Sequence, residues 1–337
     1  METIILDANN FKHIQLCAQT IRDGGLVAIP TETVYGLAAN ALNEKAVLNI
    51  FTTKGRQSDN PLIVHISSIS DVQKLVTSVP AVFEPLAKKF WPGPLTMVMH
   101  KSKKIPYNVS AGLDTVALRM PKHPATLELI RAIGCPIAAP SANLSGSPSP
   151  TKAIHVKNDM DGKIPYILDG GDCFVGLEST VLDISRDVPI ILRPGGVTYD
   201  EIKSVIGDVL IADEKSSEKP RSPGMKYRHY APNVPLVAVA GPADLTAEYI
   251  KNNITNNTAA LMFDDYSFNH KNVITFGNSC DYRTQAANLF NVLRQIDKPG
   301  ITKILAQLPR EEGLGLAVVN RMKKASGNNV IYLMDSD

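Results

Sequence analysis

Cationic, hydroxyl and amide side chains follow the short apolar runs in the N-terminal part of this sequence. They are Thr31, Thr33, Tyr35, Lys54, Arg56, Arg119, Ser141, Asn143, Ser179, Thr180 and Arg193. Because strand ends in a common sheet tend to converge, we expect cations that are far apart in sequence to surround one cleft. A hydrogen bond from such a cation to phosphate or carboxylate contributes about 1.5 to 3 kcal/mol. The pattern therefore predicts a pocket that binds an anionic ligand.

The segment 30–41, PTETVYGLAANA, holds the densest group of these side chains. It follows the apolar run 26–29, which stops at a proline and therefore predicts a buried strand that ends in a loop. Loops at strand ends of α/β proteins often carry binding and catalytic groups. The ordinary alternative is a strand-to-helix turn in which Thr31 or Thr33 caps the next helix. The segment alone does not decide between the two interpretations.

The same side chains also have interpretations that involve no ligand. Lys54 and Arg56 flank a glycine in a polar loop, and a loop with two cations is usually just solvated. Arg119 and Arg193 each end an apolar run, where an arginine can extend its head group to water. His65 lies in an apolar run and is by default a buried histidine with its hydrogen bond satisfied. The case for a site therefore depends on the rest of the chain.

Motifs that would define other chemistries are missing from the sequence. There is no G-x-x-x-x-G-K-[ST], so a bound nucleotide is not held by a P-loop. There is also no G-x-S-x-G, and no serine has a convincing pair of histidine and aspartate partners for a catalytic triad. Both observations argue against acyl transfer on a serine. The four cysteines form no C-x-x-C pair, so neither a zinc site nor a disulfide framework is indicated.

The bulk composition describes an ordinary globular protein with two domains. A chain of 337 residues exceeds what one hydrophobic core usually organises. The net charge is +2, from 35 Lys and Arg against 33 Asp and Glu, so no global field attracts nucleic acid or an anionic membrane. The N-terminus has no basic segment before an apolar one, and no apolar run could span a bilayer. We therefore expect a cytoplasmic protein that does not contact a membrane.

Strand and helix patterns alternate on both sides of a polar stretch. In residues 1–210, apolar runs interleaved with helical patterns predict one α/β domain. Residues 211–232 are nearly devoid of aliphatic side chains and hold three prolines, which is typical of a linker. Residues 233–337 alternate strand and helix again, which favours a smaller parallel-sheet domain. Gly241-Pro242 stands where a G-x-G-x-x-G would follow its first strand, so a dinucleotide site is not supported.

Seven segments of the chain resemble, in order, the segments of a known family. They are PTETVYGLAANA, KGRQSDNPL, WPGPLT, ALRMPKHP, APSANLSG, GLESTVLDI and ILRPGG. The series resembles the YrdC-like domain, and SPGMKYRHYAP followed by a second α/β domain resembles the longer, two-domain form of threonylcarbamoyl-AMP synthase. The resemblance implies a YrdC-like twisted-sheet domain followed by a smaller Rossmann-like parallel-sheet domain. It also makes the polar linker a candidate lid.

The resemblance implies an activity and a set of site residues. The family forms threonylcarbamoyl-adenylate and pyrophosphate from L-threonine, bicarbonate or CO2, and ATP, usually with Mg²⁺. The product feeds the threonylcarbamoyladenosine modification of tRNA, which partner proteins complete. By matched position, the family's basic and polar catalytic tetrad is Lys54, Arg56, Ser141 and Asn143. The residues matched to L-threonine are Thr33, His65, Arg119, Ala139 and Ser179. The residues matched to ATP are Arg56, Asn60, Thr115, Ser141, Ser149, Arg193 and Tyr230.

Two other functions stay open at this point. YrdC-like domains have been associated with RNA, so RNA binding without catalysis is an alternative, although only the linker is locally basic. Carbamoyl transfer of the hydrogenase-maturation type is another, but those proteins carry zinc-finger regions and this chain has no C-x-x-C. The sequence does not determine the role of the second domain, the oligomeric state, the Mg²⁺ ligands, or the roles of Glu32 and Tyr35.

Overall fold

The computed structural model describes residues 2–212 and 229–334, which form two compact units. The described part of the first unit comprises 2–145, 150–174 and 178–212, and that of the second comprises 146–149, 175–177 and 229–334. Two short segments from the N-terminal part of the chain therefore belong to the second unit. Most of the predicted linker, 213–228, lies outside the described residues.

The first unit is built on a mixed sheet with eleven strands among the described residues. Its strands are β1 (Ile4–Asp7), β2 (Val27–Ile29), β3 (Gly36–Asn40), β4 (Ile63–His65), β5 (Leu95–His100), β6 (Thr115–Arg119), β7 (Ile137–Ala138), β8 (Tyr166–Asp169), β9 (Thr180–Asp183), β10 (Ile190–Arg193) and β11 (Leu210–Ile211). Their spatial order is β1-β8-β2-β3-β7-β4-β6-β5-β9-β10-β11. The two edge strands, β1 and β11, are short and mostly exposed, although their sequences, IILD and LI, are largely apolar.

Helices connect these strands and cover the sheet. They are α1 (Phe11–Arg22), α2 (Glu44–Lys54), α3 (Val72–Leu75), α4 (Phe83–Phe90), α5 (Tyr107–Ser110), α6 (Pro124–Ile133), α7 (Ala153–Met160) and α8 (Tyr199–Ile206). Asn43 caps α2 by accepting a hydrogen bond from Ala46 N (3.2 Å). Gly55 ends the helix with a φ of 61°, a conformation that glycine adopts without strain. Lys54 therefore sits at a helix terminus and is buried, so it is not a solvated loop side chain, whereas residues 57–59 of the following loop are exposed.

Segment 30–41 consists of a turn at residues 30–35 followed by strand β3, so its interpretation as a strand-to-helix turn is wrong. Strands β2 and β3 pair antiparallel, with Ala28 opposite Leu37. Thr31 caps no helix, because its hydroxyl accepts from Thr33 N (3.1 Å) within the turn itself. The apolar run in the second half of the segment is too short for its period to distinguish strand from helix, which explains the wrong expectation.

Alternate residues of β2 enter different parts of the hydrophobic core. Val27 and Ile29 pack in a cluster with Leu129 of α6. Ala28 packs in a second cluster with Val47 of α2. Because successive strand residues point to opposite faces, the sheet is covered on both faces here. This double coverage explains why the strand reads as a continuous apolar run.

The second unit contains a five-stranded sheet, and all of its pairs are parallel. Its strands are β12 (Leu236–Ala240), β13 (Thr258–Met262), β14 (Val273–Thr275), β15 (Lys303–Gln307) and β16 (Val330–Tyr332), in the order β14-β13-β15-β12-β16. Its helices are α9 (Ala243–Asn253), α10 (Tyr282–Gln295) and α11 (Gly315–Ala325). The predicted fold class, a large α/β sheet followed by a smaller parallel-sheet domain, is confirmed. Across residues 2–212 and 229–334, none of the helices combines the length and apolar content needed to span a bilayer.

Candidate active site

Arg119, the last residue of β6, organises one end of the site. The side chain is 4% exposed, and its Nη2 donates to Thr33 Oγ1 (2.9 Å) and forms an ion pair with Glu32 Oε1 (2.8 Å). Its Nε donates to Gly93 O (3.3 Å). No hydrogen bond joins Nη1 to any residue that the structure describes. This edge of the guanidinium can therefore receive a ligand carboxylate.

Glu32 orders the loop around Arg119. Its carboxylate is 1% exposed, and Oε2 accepts from Lys122 N (3.0 Å) while Oε1 pairs with Arg119. A buried carboxylate is stable only with such partners, because burial without them costs several kcal/mol. Glu32 therefore ties the turn after β2 to the end of β6.

Tyr35 holds the other end of the same turn through hydrogen bonds of its hydroxyl. Its hydroxyl lies 2.8 Å from Gly171 O and 3.0 Å from Asp169 Oδ1, and it accepts from Gly170 N (3.2 Å). Burial raises the pKa of the phenol, and the charge of Asp169 acts in the same direction. Tyr35 therefore stays protonated and connects the turn to the end of β8.

His65 ends β4 and stands opposite Arg119 in the parallel β4–β6 pair. Its Nδ1 lies 3.2 Å from Ile63 O. A carbonyl only accepts, so Nδ1 carries the proton and Nε2 keeps a lone pair. Burial lowers the pKa of His65 to about 3, and the positive charge of Arg119 acts in the same direction. The ring is thus neutral and offers an acceptor to a ligand.

We expect His65 to make the fold less stable as the pH falls. In the unfolded chain this histidine titrates near 6.5, whereas the folded state resists protonation down to about pH 3. The unfolded state therefore binds the extra proton in this window, and the free energy of unfolding falls by up to about 1.4 kcal/mol per pH unit. Urea unfolding at about pH 7 and about pH 4.5 measures how much the free energy of unfolding decreases on acidification. This decrease should be smaller in His65→Gln than in the unmodified chain. His100→Gln, which replaces an exposed histidine, is the control. If the free energy of unfolding of His65→Gln decreases on acidification as much as that of the unmodified chain, the expectation is contradicted.

Ser179 and Arg193 meet where β9 begins and β10 ends. Arg193 donates to Ser179 O through Nη2 (2.9 Å) and Nε (3.3 Å), and both residues are buried. Ser179 Oγ lies 2.7 Å from Thr96 Oγ1 on β5. Thr96 is a residue that sequence reasoning did not single out, although it closes the WPGPLT segment. Its position at the start of a strand, beside other polar strand ends, was the available signal.

Lys54 holds the loop that carries Ser141 and Asn143. Its buried ammonium donates to the carbonyl of Ser141 and to that of Asn143 (2.5 Å). Its own carbonyl accepts from Ser145 N (2.9 Å). The lysine therefore fixes the backbone of this loop and adds a buried positive charge next to it.

Arg56 and Asn60 lie in the polar loop before β4. Arg56 Nη2 donates to Asn60 O and Pro61 O, both at 3.2 Å. The Asn60 side chain is 1% exposed, and neither of its amide atoms has a hydrogen-bond partner within the described ranges. An unsatisfied buried amide costs about 1 to 3 kcal/mol. Asn60 is therefore a group that a bound ligand would stabilise.

The loop after β7 contacts both the turn after β2 and the strand that ends in His65. Ala142 N donates to Tyr35 O (2.8 Å). Ala139 N donates to Ile63 O (3.0 Å), two residues before His65. The structure thus brings the predicted tetrad loop and the predicted threonine residues into one neighbourhood.

One face of the sheet joins the two ends of the site. His65 is in register with Arg119, and Ile63 with Ala117, so these residues share a face. Thr115 lies on the same face at the other end of β6, about 13 Å from Arg119 along the strand. Between the two ends lies an apolar cluster formed by Ile63, Val98, Ala117, Val181 and Leu192.

Two residues matched to ATP belong to the second unit. Ser149 is fully buried there, and Tyr230 is 6% exposed. Tyr230 has a φ of 65°, and its ring centroid lies 5.2 Å from that of Phe290. Arg321 Cζ lies 5.5 Å from the same ring. Tyr230 thus packs within the second unit, and the part of the predicted lid at 213–228 lies outside the described residues.

The fold and the site define an α/β protein of the YrdC-like class that carries a second, parallel-sheet domain. A family model described as "Telomere recombination" matches residues 19–195. A second, described as "Threonylcarbamoyl-AMP synthase, C-terminal domain", matches residues 197–327. The chain belongs to the threonylcarbamoyl-AMP synthase family.

Relatives match the chain over nearly its whole length. The threonylcarbamoyl-AMP synthase of Pyrococcus abyssi is 48% identical over 325 residues, which cover 94% of this chain and 95% of that protein. That of Bacillus subtilis is 46% identical over 337 residues and covers 96% of each. The crystal structure of P. abyssi Sua5 complexed with L-threonine has a TM-score of 0.90 at 45% identity, and the match covers 98% of this chain and 100% of that one.

Proposed function

We propose that this chain is a threonylcarbamoyl-AMP synthase. It forms threonylcarbamoyl-adenylate and pyrophosphate from L-threonine, bicarbonate or CO2, and ATP. The observation that carries the proposal is the buried group of Arg119, Thr33 and His65, which shares a sheet face with the ATP-matched Thr115. The similar P. abyssi protein was solved in complex with L-threonine.

At one end, the pocket binds threonine through a few buried groups. Arg119 Nη1 receives the carboxylate, and Thr33 helps to orient the guanidinium. His65 Nε2 accepts a hydrogen bond from the hydroxyl or the amine. With a pKa of about 3 it is too weak a base to deprotonate the amine at neutral pH, so its role is orientation. The backbone at Ala139 and the hydroxyl of Ser179 complete this end.

At the other end, polar and cationic groups bind ATP. The unsatisfied amide of Asn60 supports a contact there, because a ligand would supply its missing partners. Lys54 and the loop it holds place positive charge and loop N–H groups near the phosphates. The other residues proposed for ATP are Arg56, Thr115, Ser141, Ser149, Arg193 and Tyr230, with Asn143 completing the tetrad.

The reaction needs no protein nucleophile. The neutral amine of threonine attacks the carbon of CO2, which forms the N–C bond of a carbamate and releases one proton. A carbamate oxygen then attacks the α-phosphorus of ATP, and the bond to pyrophosphate breaks. The protein supplies proximity, positive charge for the phosphates, and protection of the carbamate from water. The apolar cluster around Ala117 supports this protection, because it offers water no hydrogen-bond partner.

Mg²⁺ enters the site as its complex with ATP. Within residues 2–212 and 229–334, no group of three or more His, Cys, Asp or Glu side chains could hold a metal ion. Mg²⁺ often keeps several waters and binds through substrate phosphates, so a site without a carboxylate cage fits this ion. Glu32 pairs with Arg119 and accepts a hydrogen bond from Lys122 N, so it is not proposed as a Mg²⁺ ligand.

The adenylate is an activated, water-sensitive compound, so a partner must take it up soon after release. We assign that role to downstream tRNA threonylcarbamoyl-transfer proteins. Because their tRNA substrate and ATP are cytoplasmic, the cytoplasm is the proposed location.

Pyrophosphate release with single substrates omitted tests the proposed function. We expect release only when ATP, threonine and bicarbonate are all present. Pyrophosphate release from ATP at a rate that depends on neither threonine nor bicarbonate would contradict the proposed function.

We expect the enzyme to use serine about 10- to 200-fold less efficiently than threonine, and valine not at all. Serine lacks one methyl group, which contributes about 1 to 3 kcal/mol in an apolar pocket. Valine lacks the hydroxyl, and a site built to hydrogen-bond that group rejects its analogue by about 10⁴-fold or more. The ratio of kcat/KM values for pyrophosphate release measures both effects. Equal efficiency with serine and threonine would contradict a pocket for the methyl group.

A further inference from the structure

Thr96 of β5, a residue without a role in the proposed function, lies on the sheet face that carries the site. It is fully buried and stands opposite Val181 of β9 in the parallel β5–β9 pair. Val98, two residues further along β5, stands opposite Ala117 of β6. Because strand residues two apart point to the same face, Thr96 shares a face with Ala117 and therefore with Arg119. Thr96 is thus a polar residue on the same face as the proposed threonine site.

The hydroxyls of Thr96 and Ser179 form a pair that carries one hydrogen more than the pair itself uses. The two oxygens lie 2.7 Å apart, so one of the two hydrogens joins them. Within the described ranges, the structure gives the other hydrogen no acceptor. Both residues are fully buried, and a buried donor without an acceptor is unfavourable. The pair therefore favours a ligand atom that offers it a lone pair.

Arg193 limits what the Ser179 hydroxyl can do. Its Nη2 lies 3.4 Å from Ser179 Oγ, and a guanidinium only donates, so the serine oxygen is an acceptor there. If Thr96 also donates to Ser179, both lone pairs of that oxygen are occupied and the hydrogen of Ser179 is free for the ligand. In the opposite arrangement Ser179 donates to Thr96, and Thr96 holds the free hydrogen. The two arrangements differ in which hydroxyl meets the ligand.

The other hydroxyl proposed for threonine, that of Thr33, has the opposite polarity. Thr31 Oγ1 donates to Val34 O (2.6 Å), so its hydrogen is already used. In the 2.8 Å contact between the hydroxyls of Thr31 and Thr33, Thr33 must therefore be the donor. Thr33 Oγ1 also accepts from Arg119 Nη2 (2.9 Å), so it can offer a ligand only a lone pair. Of these two hydroxyls, Ser179 is thus the one that can donate.

We propose that Thr96 is a positioning residue, which donates to Ser179 and thereby directs the hydrogen of Ser179 at an oxygen of bound threonine. The proposal rests on the proposed function, because it takes Ser179 as a residue that contacts threonine. The acceptor is an oxygen, because the amine nitrogen of threonine needs its lone pair for the attack on CO2. Thr96 itself does not touch the substrate. Its hydroxyl supplies the direction that a freely rotating serine hydroxyl would lack.

Calorimetric binding of threonine to full-length Thr96→Val and Thr96→Ser variants tests the proposal. Valine keeps the branched shape but removes the hydroxyl, and we expect threonine to bind about 10-fold more weakly, the size of one lost hydrogen bond. Serine keeps the donor and should recover most of the affinity. ATP affinity should fall less than threonine affinity, because Arg193 keeps its hydrogen bond to Ser179 O (2.9 Å).

Thr3→Val is the matched control, because Thr3 is also a buried threonine of the first unit. Its hydroxyl donates to Ile164 O (2.6 Å), beside the edge strand β1. Loss of this hydrogen bond should lower the melting temperature and leave threonine affinity as it is in the unmodified chain. The control thus separates a loss of stability from a loss of threonine binding. Thr96→Ala removes the same hydroxyl as Thr96→Val without placing a methyl group beside Ser179, and should repeat the loss of affinity.

The double variant Thr96→Val/Ser179→Ala tests whether Thr96 acts through Ser179. In the Ser179→Ala background, Thr96→Val should cost no further threonine affinity, because no serine hydroxyl is left to direct. An equal loss in both backgrounds would overturn the proposal, since Thr96 would then contact the ligand itself or act on the fold. Threonine binding by Thr96→Val that equals that of the control would overturn it as well.

The proposed function and this proposal fail separately, because binding is measured without catalysis. An unmodified chain that binds threonine but releases no threonine-dependent pyrophosphate would contradict the proposed function alone. Threonine-dependent pyrophosphate release by the unmodified chain, together with full threonine affinity in Thr96→Val, would contradict the role of Thr96 alone.

Discussion

The Lys54→Ala variant is expected to lose about 10²- to 10³-fold in turnover while keeping its fold. Lys54 donates from a buried position to the carbonyls of Ser141 and Asn143. Its removal takes away a buried positive charge and the contacts that hold this loop. Loss of one preorganised group at a developing charge typically costs this much in rate. Pyrophosphate release at saturating substrates measures the effect.

Lys45→Ala is the matched control, because Lys45 is an exposed lysine on the same helix. It should turn over at the rate of the unmodified chain. Two unsatisfied carbonyls in Lys54→Ala should lower the free energy of unfolding by about 1 to 3 kcal/mol each at most, which urea unfolding measures. A Lys54→Ala variant that is unfolded under assay conditions, or as active as the control, would assign this lysine a structural role only.

Replacing Arg119 by methionine should abolish efficient threonine use and destabilise the fold. Glu32 is 1% exposed and would lose its charged partner at 2.8 Å. Breaking a buried ion pair on one side costs about 3 to 5 kcal/mol. The KM for threonine should rise more than about 30-fold, since a desolvated contact between charges contributes at least about 2 kcal/mol. Urea unfolding and pyrophosphate release at varied threonine measure the two effects.

The double variant Glu32→Gln/Arg119→Met separates stability from binding. Glutamine keeps an oxygen for Lys122 N but carries no charge, so most of the lost stability should return while threonine use stays lost. Arg131→Met is the control, because it breaks an exposed pair with Glu128 and should change stability by less than about 1 kcal/mol. Recovery of threonine use in the double variant would contradict the role of Arg119.

Much of the fold was predictable because buried strands leave a strong local signal. The run 26–29 is apolar throughout because both faces of β2 are covered. The turn at 30–35 was harder to predict, since the polar residues that suggested a helix cap instead close a turn between antiparallel strands. The edge strands β1 (IILD) and β16 (VIY) are largely apolar in sequence yet mostly exposed or half-buried, so an apolar run alone does not tell a covered strand from an edge strand.

The places of several proposed site residues at the ends of strands and helices were predictable, but the contacts between these residues were not. Lys54, Arg119 and Ser179 all stand at the ends of apolar or helical runs, which a local pattern detects. The contact of Glu32 with Arg119 depends on strand register and on the course of the turn, which no short segment encodes. The hydroxyl pair of Thr96 and Ser179 depends on the same long-range arrangement. Membership of 146–149 in the second unit likewise arises only from packing.

The mass of the nucleotide product formed with carbon-13 bicarbonate tests the central claim most directly. The carbamate carbon comes from bicarbonate, so we expect a threonylcarbamoyl-adenylate one mass unit heavier than the product formed with ordinary bicarbonate. An adenylate of threonine that carries no label would mean that the amino-acid carboxylate itself is activated, and would contradict the account.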